Sequence, residues 1–523
     1  MKNNVKKIAI IVPQKSIKCL ADALWMQRYG PLQVANVLEQ TGHKVMLFNE
    51  ELYSKVNTYK LAKNFEVVGI SAKTSAIKRA EQIAYEVKHY AANLGKKLLV
   101  VLGGEHASLS GSKRLSCDFD IVLRGESERQ FTDIIQSLSI ANQDRIYLQN
   151  HIIDRRYSCS DFDNDLNLSM VHGYRNIVNS FVFNKLRWLW IVKNRRLPML
   201  AFQASRGCPY NCSFCPTSTY LQGNDYRRRA PEKAVKVLAS MVEKSGINKV
   251  VFEDPTAALP FHEPTLRFFR VLANSGLNLK ITLLVRVDLY RDIKLLKAMK
   301  KAGVKNLSIG IETLNDLTRQ KYNKQLESST ITEAIDRFHK EGFSITGLFI
   351  VGSDEDNTDV LDDIARFIET NSIEKWRVSP LGQLPEIDGE YLKKYRVFRW
   401  NELDQFGEDI ADYYNGDFVT FFPKRMPPSV LQKALHNFND RNNFLADSIK
   451  FGFKNKSYER AFQRFGNNLA QQYTQDKKIV KKYISFLENI EGPFYERQDA
   501  GYVLLENKLK KRFQGITEKR DII

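Results

Sequence analysis

The chain has few cysteines and no long apolar run. Its 523 residues include six cysteines, too few for the disulfide framework of a small secreted domain. Apolar runs such as residues 98–102 are far shorter than the roughly 20 residues of a membrane-spanning helix. The first residues do not resemble a signal-peptide core with a small-residue cleavage site. These absences predict a cytoplasmic protein of a reducing compartment.

Basic residues outnumber acidic ones. Lys and Arg number 79 against 60 Asp and Glu, a net charge of +19. This excess favours anionic partners such as nucleotides, phosphates, lipid head groups or nucleic acid, without selecting one of them. Hydrophobic residues make up 43% and charged residues 27%, which allows sizeable cores. The length corresponds to about three domains.

No Asp or Glu occurs over residues 166–224. Within this stretch, residues 173–196 interleave six Lys or Arg with five aromatic side chains. The pattern suits a peripheral membrane contact or an anionic apolar ligand, stacking on single-stranded nucleic acid, or an interdomain helix with a buried aromatic face. We expect no nucleic-acid partner, because no RNA-binding module is recognisable. The other two alternatives stay open.

Three of the six cysteines are clustered. Cys208, Cys212 and Cys215 form a C-x3-C-x2-C run. A structural zinc site needs four ligands, and no fourth Cys or His lies at finger spacing downstream. Three thiolates on one loop can hold three irons of a 4Fe–4S cluster and leave the fourth iron open. The spacing predicts such a cluster, with three unrelated buried thiols as the alternative.

Strand-like and helical patterns alternate after the cysteines and predict a partial (β/α)6 barrel. The predicted strands are 199–204, 249–253, 280–285, 306–311, 344–351 and 376–379, with helices such as 230–244 and 289–302 between them. Chemistry in such barrels takes place at the carboxyl ends of the strands. Polar residues follow three of these strands, namely Glu253, Asp254, Arg286 and Glu312.

The first 140 residues predict a doubly wound parallel sheet. Strands are expected at 7–12, 44–48, 67–71, 97–102 and 120–123, with helices at 31–41, 75–94 and 127–137. Its ligand belongs at the carboxyl ends of the strands. Gly103-Gly104 and Gly125-Glu126 stand in loops at two of those ends. No G-x-G-x-x-G follows the first strand, so a nicotinamide site lacks its fingerprint.

The cysteine run resembles that of the radical S-adenosylmethionine superfamily. The resemblance implies that Cys208, Cys212 and Cys215 hold the cluster and that the open iron chelates S-adenosylmethionine. Electron transfer then cleaves the sulfonium to methionine and a 5′-deoxyadenosyl radical, which abstracts a hydrogen from the substrate.

The same resemblance assigns further cofactor contacts. Phe214 matches the aromatic position beside the adenine. Glu253 and Asp254 stand where the family's Gly-Gly-Glu motif lies near the amino group of S-adenosylmethionine. Arg286 matches the polar group that meets its carboxylate or ribose. Glu312 is similar to the glutamate of the family's Gly-Ile-Glu-Ser segment and is expected to contact the cofactor.

A nucleotide-type domain before such a barrel resembles the cobalamin-binding class of this superfamily. Residues 29–35, 103–106 and 124–126 match recurring positions of that class, and the resemblance extends to about residue 430. It implies a cobalamin site at Ser71, Gly103, Gly104, Gly125 and Glu126. The D-x-H-x-x-G motif that supplies a histidine to cobalt is absent, and His106 is interpreted as a loop residue.

The layout is similar to the hopanoid methylases and the anaerobic magnesium-protoporphyrin cyclases. The expected parts are a cobalamin-type Rossmann-like domain (1–145), a linker (146–197), a radical barrel (198–385) and a helical carboxyl-terminal cap (386–523). The similarity implies methylation or remodelling of a small, apolar, lipid-like substrate, with flavodoxin or ferredoxin as electron donor. The alternatives are a cobalamin-independent radical cyclase or oxidative enzyme, an iron–sulfur electron-transfer protein and a nucleic-acid modifier.

Overall fold

The computed structural model describes most of the first 140 residues, the barrel and parts of the carboxyl-terminal region. The described residues are 5–17, 24–109, 118–140, 151–153, 197–324, 328–382, 410–439, 454–455, 460, 463–464 and 477–496. The basic and aromatic stretch 173–196 lies outside them, as do Cys19, Cys117 and Cys159.

Six parallel strands form the first sheet. They are β1 (Lys7–Val12), β2 (Lys44–Asn49), β3 (Val67–Ser71), β4 (Leu99–Gly103), β5 (Ile121–Leu123) and β6 (His151–Ile153). The helices are α1 (Tyr29–Gln40), α2 (Thr58–Asn64), α3 (Ile77–Asn93), α4 (Glu105–Leu109) and α5 (Glu128–Ile140), with a 3-10 turn at Thr74–Ala76. The five predicted strands are confirmed. The sequence did not predict β6, α2 or α4.

The strand order of this sheet creates a crevice at one edge. The order is β2-β1-β3-β4-β5-β6, so the chain leaves β1 toward one side and later returns on the other. Apolar runs such as Ile8 to Val12 are buried, as expected for parallel strands that helices cover on both faces. Ligands of doubly wound sheets bind where the strand order reverses, here at the carboxyl ends of β1 and β3.

The second sheet is the predicted partial barrel, and its six main strands are parallel and adjacent in chain order. In chain order the strands of this region are β7 (Leu200–Phe202), β8 (Ser205–Arg206), β9 (Arg227–Arg228), β10 (Lys249–Phe252), β11 (Lys280–Val285), β12 (Val304–Glu312), β13 (Ser344–Val351) and β14 (Lys375–Pro380). The short strands β8 and β9 pair antiparallel with each other, outside the main sheet. Two-residue segments, Leu24–Trp25 and Leu197–Pro198, also pair.

Helices cover the outer face of the barrel. They are α6 (Pro231–Ser245), α7 (Glu263–Asn274), α8 (Ile293–Lys301), α9 (Asp316–Lys321), α10 (Ser328–Lys340) and α11 (Val360–Thr370), with a 3-10 turn at Val287–Arg291. In α6, Pro231 lies in the first turn and Gly246 caps the end with φ of 64°, both preferred at those positions. Ala234, Leu238 and Met241 are buried on one face, and this 3.6-residue periodicity packs the helix onto the sheet.

The described part of the carboxyl-terminal region is helical. It contains α12 (Pro428–Asn439), α13 (Lys477–Glu496) and a 3-10 turn at Ile410–Tyr413. Tyr413 stacks on Tyr483 with ring centroids 4.3 Å apart, and the Tyr483 hydroxyl donates to Val419 O at 2.6 Å. Among the described helices, none is both long and apolar enough to cross a membrane.

Candidate active site

The cysteine loop begins directly after β8. Cys208, Cys212 and Cys215 are free thiols of intermediate exposure. Hydrogen bonds close the loop backbone, from Cys208 N to Gly223 O at 3.1 Å and from Cys215 N to Cys212 O at 3.0 Å. A single π-helical turn, Thr217–Leu221, follows the third cysteine. The chain therefore carries the three thiols on one short, folded loop.

Gly207 lets two backbone segments come close together at the base of this loop. Its φ is 75°, and a Cβ at this position would overlap the backbone carbonyl of Asp225. Glycine adopts a positive φ without steric cost. Any side chain here would push the two segments at the base of the loop apart, so the loop needs glycine at this position.

Burial and neighbouring cations shift the pKa values of the thiols in opposite directions. Burial raises the pKa of the Cys208 thiol, and the nearby Cys215 and Cys212 thiols add to that rise. Burial also raises the pKa of Cys212, whereas the Lys324 ammonium and the Arg286 guanidinium lower it. Two cations therefore lie where a thiolate needs compensation, and the thiolate is the form that binds metal.

The donor set of the loop fits an iron–sulfur cluster. Within the described ranges, no three His, Cys, Asp or Glu side chains are grouped as ligands of a single metal ion. Cluster ligands need no such grouping, because each thiolate of a 4Fe–4S site binds a different iron. Thiolates are also the ligands that iron–sulfur clusters select.

Arg286 lies against the cysteine loop. It follows β11, and its Nε donates to Asp288 Oδ2 at 3.2 Å. Its guanidinium carbon lies 3.7 Å from the centre of the Tyr210 ring, a cation–π contact, and its Nη1 lies 4.0 Å from Cys212 Sγ. One carboxylate and one aromatic ring thus hold Arg286 beside the thiols. Arg286 was predicted from the sequence, whereas Tyr210 was not, because its one signal was its place between two cysteines.

Glu312 ends β12 in a left-handed conformation. Its φ is 66°, and the pairing of β12 with β13 shifts register between Gly310 and Glu312. Lys324 Nζ donates to Glu312 Oε1 at 2.7 Å and to Gly310 O at 2.6 Å, and the Lys324 side chain is only 5% exposed. This buried pair orients the carboxylate at the strand end. Lys324 was not predicted from the sequence, because no periodicity relates it to Glu312.

The segment 321–324 packs against the cysteine loop. Asn323 has φ of 54°, and its Nδ2 donates to Asn211 O at 3.0 Å. The ring of Phe214 lies 4.9 Å from that of Tyr322, centroid to centroid. The end of α9 therefore supports the loop from one side. The contact of Phe214 with an adenine stays a prediction.

The two carboxylates after β10 already have protein partners. Glu253 accepts hydrogen bonds from Arg28 Nη1 at 2.8 Å and Tyr29 N at 2.9 Å. Asp254 is buried and accepts from Ser205 N and Oγ, each at 2.5 Å. Burial raises the pKa of Asp254 to about 6. Asp254 braces the strand that leads into the cysteine loop, and Glu253 faces the first sheet. Their contact with S-adenosylmethionine stays a prediction.

A cavity of about 420 Å³ lies between the first sheet and the barrel. The carboxyl ends of β1, β3, β4 and β5 line one side of it, and Gln203, Arg206 and Glu253 line the other. The five residues assigned by resemblance to cobalamin all line this cavity, namely Ser71, Gly103, Gly104, Gly125 and Glu126. The cavity occupies the crevice that the strand order creates.

Gly103 and Gly104 differ in how much space a side chain would have at each position. Gly104 has φ of 93°, and an added Cβ would lie 2.9 Å from both N and O of Ala72. At Gly103 the nearest atom to an added Cβ is Ser127 Oγ, at 3.9 Å. The fold therefore requires glycine at position 104, whereas a glycine at position 103 keeps the cavity wide.

His106 is absent from the described residues that line this cavity. It is buried in α4 rather than in a loop, and its Nδ1 lies 3.2 Å from Thr74 Oγ1. Burial lowers the pKa of His106 to about 4. A neutral histidine that is hydrogen-bonded within the first domain is not placed to act as a ligand in the cavity.

Comparisons with known proteins agree with this geometry. The sequence model of the Radical SAM superfamily matches residues 202–368. An uncharacterized methyltransferase of Pyrococcus horikoshii is 26% identical over 60% of this chain and 67% of its own length. The anaerobic magnesium-protoporphyrin IX monomethyl ester cyclase of Rubrivivax gelatinosus is 23% identical over 83% of this chain and 78% of its own length.

Solved structures match over most of the chain. The radical S-adenosylmethionine methyltransferase TsrM from Kitasatospora setae, with cobalamin and a 4Fe–4S cluster bound, superimposes with a TM-score of 0.58. The match covers 90% of this chain and 99% of that one, at 12% identity. At this identity the likeness shows a shared fold.

Proposed function

We propose that this chain, whose residues 202–368 match the Radical SAM superfamily, is a cobalamin-dependent methyltransferase acting on an unactivated carbon of an apolar substrate. The proposal keeps the division of the chain at residues 145, 197 and 385. The first part binds cobalamin, the barrel binds the cluster and S-adenosylmethionine, and the carboxyl-terminal cap closes the substrate site. An electron donor such as flavodoxin or ferredoxin supplies the electron for the reaction.

The observation that carries the proposal is the position of the cavity. It is lined both by the glycines at the ends of β4 and β5 and by Arg206, which precedes Cys208 by two residues. A ligand in this cavity therefore touches the first sheet and the base of the loop at once. A carrier of methyl groups needs such a place, because it has to lie near the reacting end of the barrel.

The proposed roles follow the sequence assignments. Cys208, Cys212 and Cys215 hold the cluster. Phe214, Glu253, Asp254, Arg286 and Glu312 contact S-adenosylmethionine. Ser71, Gly103, Gly104, Gly125 and Glu126 contact cobalamin. The geometry adds Lys324 to the second set, because its ammonium is buried beside Glu312 and near Cys212.

Within this site the chain supplies charge and orientation. The cluster, when bound, supplies the electron that cleaves S-adenosylmethionine, and cobalamin, when bound, carries the methyl group. Arg286 and Lys324 place two positive charges beside Cys212, where they offset thiolate charge and can bind a carboxylate. The Glu312 carboxylate, paired with Lys324, can accept a hydrogen bond from an amino group or ribose hydroxyl.

Cobalamin in this cavity is held without His106. That side chain is bonded to Thr74, whereas Ser71, Gly103 and Gly125 line the cavity with small groups. Small residues let a bulky ring approach the backbone. We therefore expect bound cobalamin to take no nitrogen ligand from His106.

The apolar, lipid-like substrate is the finest detail of the proposal. It is supported by the similarity of the sequence to the hopanoid methylases and by the basic and aromatic stretch 173–196. That stretch lies outside the described residues, so a peripheral membrane contact rests on its composition alone. The cytoplasmic side of a membrane is the place where such a protein would meet its substrate.

Anaerobic reconstitution tests the reaction. Protein rebuilt with iron, sulfide and cobalamin is given a low-potential reductant, S-adenosylmethionine with a deuterated methyl group, and lipid or soluble extracts. Mass spectrometry of the products should show a species heavier by one deuterated methyl group. The Cys212→Ala variant is the matched control and should give none. A wild-type enzyme that forms 5′-deoxyadenosine and an unlabelled product would contradict methyl transfer.

That contradicting outcome would favour a second candidate, a radical cyclisation or oxidation without methyl transfer. The match to the magnesium-protoporphyrin cyclase of Rubrivivax gelatinosus supports it, because that match covers 83% of this chain. The two candidates share the cluster and S-adenosylmethionine. Only the fate of the deuterated methyl group separates them.

A further inference from the structure

Two glutamates of the first domain bind two arginines of the barrel across the seam between them. Glu126 accepts from Arg227 Nη2 at 2.6 Å and from Arg227 Nη1 at 2.9 Å, in a bidentate pair. Glu128 accepts from Arg206 Nη2 at 2.6 Å. Arg206 Nη1 also lies 3.3 Å from Glu126 Oε2. We call these four side chains the seam network.

The two arginines form the base of the cysteine loop. Arg206 and Arg227 face each other as partners in the antiparallel pair of β8 and β9. Gly207 and Cys208 follow Arg206 directly, and Cys208 N bonds to Gly223 O on the returning side. The loop that carries the thiols therefore starts at one of these arginines and returns toward the other.

The seam network is buried. The side chains of Arg206, Glu126 and Glu128 are each at most 6% exposed, and that of Arg227 is 18% exposed. Removing one partner of a buried ion pair leaves the other charge uncompensated, which is costly. The arginines are therefore confined to the positions at which the glutamates meet them, and this confinement extends to the base of the loop.

We infer that Glu126 and Glu128 are positioning residues for the cysteine loop, acting through Arg227 and Arg206. This inference rests on the proposed function, in which the loop holds the cluster. It gives Glu126 a role beyond its assignment to cobalamin. Carboxylates of the first domain then set the geometry of a cluster site in the barrel.

A double-mutant cycle tests the inference. Wild type, Glu126→Gln, Arg227→Gln and the double variant are reconstituted with iron and sulfide, without cobalamin, and the rate of iron loss to a chelator is measured anaerobically. Each single variant should lose iron at least about tenfold faster than wild type. The double variant should be no faster than Glu126→Gln alone, because both changes remove the Glu126–Arg227 pair and only Glu126→Gln also removes the contact with Arg206. The electron paramagnetic resonance spectrum of the reduced cluster should shift in all three.

The matched control is Glu232→Gln. Glu232 pairs with Arg267 at 2.7 Å, but both side chains are about 60% exposed on the outside of the barrel. Its iron loss and spectrum should equal those of wild type. Thermal unfolding of each protein checks folding. If Glu126→Gln does not fold, Glu128→Gln, which leaves the bidentate pair in place, should show the same faster iron loss.

Three outcomes would overturn the inference. They are wild-type iron loss and spectrum in Glu126→Gln, effects of the two single changes that add in the double variant, and wild-type behaviour of Glu128→Gln. In a parallel reconstitution with hydroxocobalamin, a Glu126→Gln variant that retains the normal cluster but loses cobalamin would make Glu126 a direct contact and not a positioning residue. Failure of the proposed function has different signatures: without the cluster assignment the wild-type protein would bind no cluster at all, and without methyl transfer alone the iron loss of every variant would stay as stated above.

Discussion

The cysteine loop and the cavity of the first sheet differ in the residues that stand at the ends of their strands. Around the loop, charged and aromatic side chains converge, with Arg286 on Tyr210 and Lys324 on Glu312. Around the cavity, glycines and a serine leave space at the strand ends. The loop region offers charged groups that are held in place by partners, whereas the strand ends of the cavity offer space, with charged side chains such as Arg206 and Glu126 elsewhere in its lining. A single changed side chain should therefore abolish function in the loop but only reduce binding in the cavity.

The largest effect is expected at the loop itself. Cys212→Ala removes one of three cluster ligands, so it should abolish both the broad iron–sulfur absorbance and the reductive cleavage of S-adenosylmethionine. Alanine at Cys19, Cys117 or Cys159 should leave both intact. Absorbance after reconstitution and the yield of 5′-deoxyadenosine measure the two effects. Full 5′-deoxyadenosine production by Cys212→Ala would refute the cluster assignment.

A smaller effect is expected at the buried pair beside the loop. Lys324→Met leaves the Glu312 carboxylate without its cation and removes a candidate partner of the cofactor carboxylate. We expect the Kd for S-adenosylmethionine to rise at least about tenfold, measured by equilibrium dialysis with reconstituted protein. Lys324→Arg keeps the charge and should recover part of the affinity. Unchanged affinity in Lys324→Met would separate this lysine from the cofactor.

The smallest effects are expected in the cavity, where two adjacent glycines serve as matched probes. Gly103→Val adds a Cβ with only ordinary contacts, at 3.9 Å from Ser127 Oγ and 4.0 Å from Leu123 O, so it should lower cobalamin retention several-fold with little change in thermal stability. Gly104→Ala strains a positive φ and crowds Ala72, so it should lower stability by about 1 to 3 kcal/mol. Desalting after incubation with hydroxocobalamin measures retention. Wild-type retention in Gly103→Val would argue against cobalamin in this cavity.

The strands and the cysteine loop could be predicted because their signals are local. Apolar runs marked every main strand of the barrel to within a few residues, and the spacing of the cysteines was itself the motif. The partners that lie farther along the chain from Glu312, Arg286 and Asp254 could not be predicted. They come from segments that meet only in the folded chain, such as Lys324 and Tyr210. Strand β6 was not predicted, because residues 151–153 lie in the stretch that was interpreted as a linker.

For residues at strand ends, the sequence predicted where they lie better than what they contact. Glu253 and Asp254 do follow β10, yet their carboxylates bond to Tyr29 and Ser205. A residue at the edge of a sheet can face a ligand, the neighbouring domain or its own backbone, and one sequence does not distinguish these. The cavity residues were easier to group, because parallel strands bring their carboxyl ends to one edge whatever the side chains do.

The seam network also has a consequence for how the protein is made. Glu128 and Arg206 are separated by 78 positions along the chain, and Glu126 and Arg227 by 101. Contacts between such distant residues form only after long loops have closed, late in folding. The base of the cysteine loop is therefore completed after the first sheet and the start of the barrel exist together. A newly made chain with only its first sheet folded therefore lacks the finished base of the cysteine loop.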